Sequence, residues 1–261
     1  MTDTAAVRAA HDDLQYDRIG GDYELSKLLP LTRFVERPGV LGLLADVRGR
    51  SVLDLACGTG VYSRHARRLG ARRVLGVDIS PKMVEVGRAA EEHEPLGVEY
   101  AVGDGADLPR LGDFDVVLAA YLFNYAGSPD VMARMARSCA RNLREGGELR
   151  AFVAHPDFDF GRPLPETYGF SFGREPDPAH EGRIRVTAHT RPPVSFSAYL
   201  PPRRVYEEAF AAAGFHGCAW SPVPLSVEGV LEYGPEYWDD FRANPPWVVF
   251  RCVKGAADRR G

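Results

Sequence analysis

The stretch V-L-D-L-A-C-G-T-G, Val52 to Gly60, decides the fold. An apolar strand ends in an acid, a glycine-rich turn follows, and a helical pattern runs from Val61 to Leu69. A second apolar strand, Val74 to Val77, ends in Asp78. Gly58 and Gly60 carry no Cβ, so backbone there can turn sharply and approach a ligand closely. The helix that starts near Val61 offers unpaired N–H groups and a partial positive charge. Asp78 is placed to accept from two ribose hydroxyls. Strand, glycine turn, helix, strand and terminal acid together describe a nucleoside-binding crevice at the carboxyl edge of an open α/β sheet.

Outward from that stretch, strands and helices alternate from 51 to 154. Strands are expected at Ser51–Leu55, Arg73–Val77, Gly97–Val102, Phe114–Ala119 and Glu148–Ala154. Their near-continuous apolar character indicates a parallel sheet covered on both faces. Ser80-Pro81 and Ser128-Pro129 read as helix starts, and Gly146-Gly147 as the stop of the helix that precedes the fifth strand. Before the sheet, Leu14 to Leu44 is helical in pattern, with breaks at Gly20-Gly21, Pro30 and Pro38. After it, residues 155–200 are rich in proline and glycine. They carry two alternating runs, Arg183–Thr190 and Val194–Leu200, that read as strands with one wet face. A helix from Pro202 to Ala213, stopped by Gly214, and a last strand at Trp247–Val253 complete the chain.

The ligand is narrowed by what the glycine turn lacks. A dinucleotide fingerprint needs a third glycine, and Ala56-Cys57-Gly58-Thr59-Gly60-Val61-Tyr62 has none there. Asp54 adds an acid at the strand end, suited to the ammonium of an amino-acid tail. With these features the segment from about 50 to 154 resembles the class I S-adenosylmethionine-dependent methyltransferases. D-L-A-C-G-T-G resembles their first motif, with Ala56 where glycine is common and Gly58, Thr59 and Gly60 in the turn. G-V-D-I-S, 76–80, resembles the second, which puts Asp78 on the ribose and Ile79 against the adenine. Met83 is similar to the apolar residue on the other adenine face. In G-D-G-A-D-L-P, 103–109, the resemblance implies that Asp104 takes the adenine amine and that Gly105 and Ala106 donate backbone contacts. In F-D-V-V-L-A-A-Y, 114–121, it places Ala119 to Tyr121 under the methionine part. L-R-E-G-G-E-L, 143–149, resembles the turn into the fifth strand.

The resemblance implies one α/β domain: a Rossmann-like, seven-stranded, mostly parallel sheet with helices on both faces. Its parts would be an N-terminal helical lid (1–45), a cofactor-binding core (50–154), a substrate cap or insertion (155–200) and the C-terminal part of the sheet (201–254). The implied cofactor is S-adenosylmethionine, with S-adenosylhomocysteine as product.

In-line transfer from a sulfonium needs alignment above all, and a base only where the nucleophile must lose a proton. Candidate positioning groups are therefore the ones to find. Y-D-R-I-G-G-D-Y, 16–23, resembles the lid helix of small-molecule methyltransferases, and Tyr16 and Tyr23, seven apart, share a helical face. Lys27 or Arg33 is placed to pair with the methionine carboxylate. Tyr121, Asn124 and Tyr125 follow the fourth strand, where the family's acceptor approaches. His155 follows the fifth strand as a general base or hydrogen-bond partner, with a satisfied structural histidine as the alternative. His189 is a weaker candidate. The lid, the A-A-Y-L-F-N-Y segment and Y-G-P-E-Y-W-D-D-F (233–241) look similar to bacterial secondary-metabolite N-methyltransferases of the toxoflavin-synthase-like type.

Bulk properties set the partners. A chain of 261 residues buries roughly three quarters of its unfolded surface. The net charge of −4 supplies no basic field for nucleic acid or acidic membranes. Asn244-Pro245-Pro246-Trp247 copies the signature of amino-methylating nucleic-acid enzymes, but it precedes the last strand instead of following the fourth, and reads as a turn. Four cysteines, Cys57, Cys139, Cys218 and Cys252, lie far apart without a C-x-x-C pair, which argues against zinc and against a disulfide framework. The expectation is a cytoplasmic monomer or homodimer, bacterial, without metal. It would methylate an N or O nucleophile of a small molecule, such as a secondary metabolite, with no nucleic-acid or membrane partner. A nicotinamide-dependent oxidoreductase, a tRNA or DNA methyltransferase and a non-catalytic cofactor-binding protein stand as alternatives.

Overall fold

Strand β1 (Ser51–Leu55) is buried at every position, as a strand covered on both faces must be. The structure is a computed structural model that describes residues 25–177 and 182–255. Strands β2 (Arg73–Asp78) and β4 (Phe114–Ala120) flank β1 in parallel, with Leu53 opposite Leu75 on one side and Val117 on the other. With β3 (Val98–Val102), β5 (Leu143–Ala154), β9 (Phe215–Pro222) and β10 (Trp247–Lys254) they form a seven-stranded sheet in the order β3-β2-β1-β4-β5-β10-β9. β10 runs antiparallel to both its neighbours, so the other six strands share a direction. The order reverses between β1 and β4, and a crevice opens there at the carboxyl ends.

Helices α2 (Val61–Arg68), α3 (Pro81–His93) and α4 (Pro129–Asn142) cover the sheet. Ser80 and Ser128 cap α3 and α4 as expected: their hydroxyls accept from Met83 N at 3.2 Å and Val131 N at 3.3 Å. The expected helix stop at Gly146-Gly147 is not where α4 ends. The helix finishes at Asn142, because Leu143 is already extended (φ −96°, ψ 141°) and pairs with Phe114. The two glycines lie inside β5, at a register shift against β4.

The N-terminal helix is interrupted at 27–29, just before Pro30, as expected, but Pro38 does not break it. Helical backbone continues from Pro30 through a π-turn, Thr32–Glu36, into α1 (Arg37–Leu43). Pro38 has no N–H with which to close an i→i+4 bond on the Phe34 carbonyl. The Arg37 N–H reaches back five residues to Thr32 O instead, and the Phe34 carbonyl accepts from Ser226 N at 2.9 Å. Proline thus widens the helix rather than ending it.

The 155–200 region carries a separate three-stranded antiparallel sheet of β6 (Phe170–Arg174), β7 (Arg183–Ala188) and β8 (Val194–Tyr199). The alternating runs at β7 and β8 were expected; β6, short and bordered by proline and glycine, was not. Register aligns Phe172, Val186 and Phe196 across the three strands, beside the pair Ile184–Ala198. Helix α5 (Arg203–Ala212) sits where expected, before edge strand β9. Helix α6 (Val227–Tyr233) and short α7 (Asp239–Ala243) bracket Trp238, which is fully buried and donates from Nε1 to Gly229 O at 3.0 Å.

The cysteine expectation needs correction. Cys218 and Cys252 are disulfide-bonded, with Cα atoms 4.2 Å apart. They stand 34 residues apart in sequence, but the antiparallel pairing of β9 with β10 brings them side by side, which spacing alone does not reveal. Cys57 and Cys139 are free, buried thiols. Asn244, expected to serve only in a turn, is a buried brace: its carboxamide bonds Asp159 N, Asp159 O and Arg162 O at 2.8–3.1 Å. Among the described residues no helix is long and apolar enough to cross a membrane.

Candidate active site

Three left-handed residues shape the turn after β1: Ala56 (φ 59°), Gly58 (φ 54°) and Gly60 (φ 81°). Alanine at 56 carries a left-handed penalty of roughly 1–2 kcal/mol that glycine would avoid. The two glycines serve different needs. A Cβ on Gly60 would stand 2.1 Å from the Tyr100 hydroxyl, so this glycine lets the turn pack on β3. A Cβ on Gly58 would meet nothing within 4 Å, so this one faces the open crevice. Thr59 lies between them, half-buried.

Asp78, at the carboxyl end of β2, is fixed by two backbone donors, Gly58 N to Oδ2 at 2.7 Å and Ser80 N to Oδ1 at 2.9 Å. The carboxylate therefore holds the glycine turn and the start of α3 together at the mouth of the crevice. Beside it Ile79 and Val102, at the ends of neighbouring strands, expose 39% and 50% of their surface, while Met83 packs inside. Asp104 is exposed and accepts from Ala106 N at 2.7 Å, which folds the loop after β3. Gly105 in that loop packs on Leu122, where a Cβ would come within 2.6 Å. Ala119 is fully buried and pairs with Leu55 across the point where strand order reverses.

Asp54 lies beneath the turn. It is 1% exposed, and its Oδ2 accepts from Ser63 Oγ at 2.6 Å. Burial raises its pKa from 3.8 to about 7; the Asp78 charge adds to the rise and the Ser63 hydrogen bond opposes it.

A second space adjoins the crevice at Tyr121. That residue follows β4 in a left-handed conformation (φ 64°), unusual for a bulky side chain and a frequent mark of functional sites. Its ring packs edge-on against Phe152 and Trp247. A chamber lies behind it. Phe170, Phe172, Phe196 and Trp247 form an aromatic wall, and Ile184, Val186 and Ala198 the cap-sheet face. Ser26, Glu36, Asn124 and Tyr125 complete the lining.

The positioning candidates fall in several places. The Asn124 carboxamide braces the fold, donating to Tyr199 O and accepting from Ala154 N, both at 3.1 Å, while its residue lines the chamber. His155 Nδ1 accepts from Asp157 N at 3.1 Å, and partial burial holds its pKa below the usual histidine range. Arg33 points to the surface, where it pairs with Glu232 through two contacts of 3.2 Å. Lys27 reaches Glu36 at 3.3 Å. His189 is half-buried and anchors its backbone N–H on Gly169 O. Tyr16 and Tyr23 lie outside the described residues.

Sequence reasoning overlooked Glu36 and the aromatic wall. Glu36 is 3% exposed, and the signal available for it was an acid followed two residues later by a helix-interior proline. Trp247 was hidden inside the N-P-P-W turn.

Residues 52–147 match the family description of methyltransferase domains. Residues 52–147 form a methyltransferase domain, with the fold of S-adenosylmethionine-dependent methyltransferases. Over 106 residues the chain is 35% identical to the ubiquinone biosynthesis O-methyltransferase of Xanthomonas oryzae pv. oryzae, covering 40% of this chain and 43% of that protein. Over 101 residues it is 37% identical to the ribosomal protein L11 methyltransferase of Burkholderia mallei, covering 39% and 31%. The chain thus spans less than half the length of these curated relatives. The methyltransferase fold extends further: an S-adenosylmethionine-dependent methyltransferase from Mesorhizobium loti superposes with a TM-score of 0.62 at 22% identity, over 88% of this chain and all of that one. The DhpI–SAH complex superposes with a TM-score of 0.60 at 19% identity, over 95% and 98%.

The residues present fit the methyltransferase cofactor. The open side of Gly58, the fixed Asp78 carboxylate and the exposed apolar pair Ile79 and Val102 suit a nucleoside. S-adenosylmethionine supplies an electrophilic methyl on a sulfonium.

Proposed function

We propose that the chain transfers a methyl group from S-adenosylmethionine to an N or O nucleophile of a small, largely apolar molecule, such as a secondary metabolite. The observation that carries this reading is the aromatic chamber, which meets the cofactor crevice at Tyr121. In the methyltransferase domain Asp78, Ile79, Met83 and the loop at Asp104 hold the nucleoside, which leaves the sulfonium end toward Ala119 and Tyr121. The cap sheet and Trp247 then clasp the acceptor against that end. The work of these residues is alignment, which converts a bimolecular encounter into a near-unimolecular step. His155 stands at the end of β5, on the same edge of the sheet, and burial favours its neutral form. That form suits it to take a proton when the nucleophile must lose one.

The ubiquinone-pathway relative supports a small-molecule acceptor. The net charge of −4 weighs against a polyanionic one. The test is transfer from methyl-labelled S-adenosylmethionine into a cell extract split by dialysis. Label in the dialysable fraction is the expected result. Label confined to protein or RNA overturns the acceptor class, and failure to bind S-adenosylhomocysteine in calorimetry overturns the donor.

A further inference from the structure

Glu36 is a carboxylate buried in the wall of a largely apolar chamber. Burying such a charge is unfavourable unless donors surround it, and three side chains do. Oε1 accepts from Tyr62 Oη at 3.1 Å and Lys27 Nζ at 3.3 Å. Oε2 accepts from Tyr121 Oη at 2.9 Å. These partners come from different parts of the site: Tyr62 from the first turn of α2, beside the glycine turn, and Tyr121 from the end of β4, where crevice and chamber meet.

The two oxygens are not equivalent. A carboxylate oxygen has two lone pairs. Oε1 has two donors, whereas Oε2 has one among the described residues. Oε2 is the oxygen hydrogen-bonded to Tyr121, whose ring packs against Phe152 and Trp247. The Lys27 ammonium already balances the Glu36 charge, so a second cation at this place would face like charge. A neutral donor would not.

We propose that Glu36 selects the acceptor by taking a hydrogen bond at Oε2 from an uncharged N–H or O–H group on an aromatic ring system. The ring body lies against the row Phe172–Val186–Phe196 and the Trp247 edge, and its donor group turns toward Glu36. This holds the nucleophile-bearing ring at the junction with the crevice. The inference rests on the methyl-transfer reading and names the acceptor class for that same chamber. It makes Glu36 a specificity-determining residue, distinct from the groups that hold the cofactor.

The test uses the full chain saturated with S-adenosylhomocysteine and two probes of one shape, 2-naphthol and 2-methoxynaphthalene. A third, 2-naphthylmethylamine, is cationic at neutral pH. Affinities are read by calorimetry. Wild type should favour 2-naphthol over both other probes by about tenfold or more, as a hydrogen bond to a charged group in an apolar site implies. In Glu36→Gln the preference over 2-methoxynaphthalene should narrow to about threefold or less, while S-adenosylhomocysteine affinity stays within about twofold. Tyr121→Phe keeps the carboxylate and should keep the preference, which covers the case in which Glu36→Gln melts early. Three results overturn the proposal: the preference survives in Glu36→Gln; no naphthalene probe binds wild type; or Glu36→Gln loses S-adenosylhomocysteine affinity with the preference intact, which would place Glu36 on the methionine end. Wild type that fails to bind S-adenosylhomocysteine refutes the donor assignment instead, and the two failures are distinct.

Discussion

Gly58 and Gly60 look interchangeable in the motif, yet replacing each by alanine should give opposite phenotypes. Both have left-handed backbone, φ 54° and 81°, so each alanine costs roughly 1–2 kcal/mol from conformation alone. At Gly58 nothing more is lost in the fold, since the new Cβ meets no atom within 4 Å. At Gly60 the Cβ falls 2.1 Å from Tyr100 Oη and 2.6 Å from two ring carbons. Tyr100 has little room to retreat, because its ring also lies against Gly76 and Gly87, where a Cβ would come within 2.9 and 3.0 Å. Overpacking of that kind adds about 1–3 kcal/mol. Urea melts should therefore show Gly60→Ala losing about 2–5 kcal/mol and Gly58→Ala about 1–2 kcal/mol. For a chain of this size the smaller loss is about 2–4 °C in Tm. Calorimetric titration of S-adenosylhomocysteine should invert the picture for Gly58→Ala. A methyl group placed where the nucleoside must lie should weaken binding roughly ten- to a hundredfold in a protein that remains folded. Wild-type affinity in Gly58→Ala would refute the assignment of the open side of Gly58 to the cofactor. Equal stability of the two variants would refute the packing role of Gly60.

Two further predictions concern stability. Because the pKa of folded Asp54 rises from 3.8 to about 7, the folded state keeps a proton that the unfolded chain releases. Asp54 should then withdraw stability as pH climbs from about 4 to about 7 and change nothing above that, on the order of 4 kcal/mol in all. Urea midpoints at pH 5 and pH 8 should diverge more in wild type than in Asp54→Asn, and an identical divergence in both would refute it. The Cys218–Cys252 bond closes a loop of 34 residues, so Cys218→Ala/Cys252→Ala should lose about 2–4 kcal/mol. A non-reducing peptide map should recover the linked pair, and four alkylatable thiols in the unfolded, unreduced chain would disprove the bond.

The crevice was legible because it is local. Asp54, Gly58, Gly60 and Asp78 belong to two strands and one turn, and parallel strands buried on both faces announce themselves as apolar runs ending at the ligand edge. The chamber was not legible for the opposite reason. Its wall joins Glu36, Tyr121, Phe170, Phe196 and Trp247, five positions on five segments, and no spacing in the chain registers their meeting. Asn124 shows the same limit. Its place after β4 was readable, but not that its carboxamide also joins the ends of β5 and β8 to the loop after β4 while the residue lines the chamber. The Cys218–Cys252 pair was missed because antiparallel neighbours erase sequence distance. Asp104 kept both of its readings: it folds its own loop through Ala106 N and stays exposed beside the crevice.

Glu36 links these two kinds of encoding. Its helix is widened by Pro38, which leaves the Phe34 carbonyl without a helical partner, and that carbonyl is taken by Ser226 N at the start of α6. Gly229, one turn further on, is the residue that lets α6 approach, since a Cβ there would press within 2.7 Å of Phe34. In a regular helix each residue turns about 100°, so one extra residue in the turn re-aims the side chains that follow it. The same proline thus settles how α6 docks and where the Glu36 carboxylate points. A change of acceptor in related chains need not touch the glycine turn at all. It requires only a different backbone path between Thr32 and Pro38, and the cofactor crevice would remain as it is.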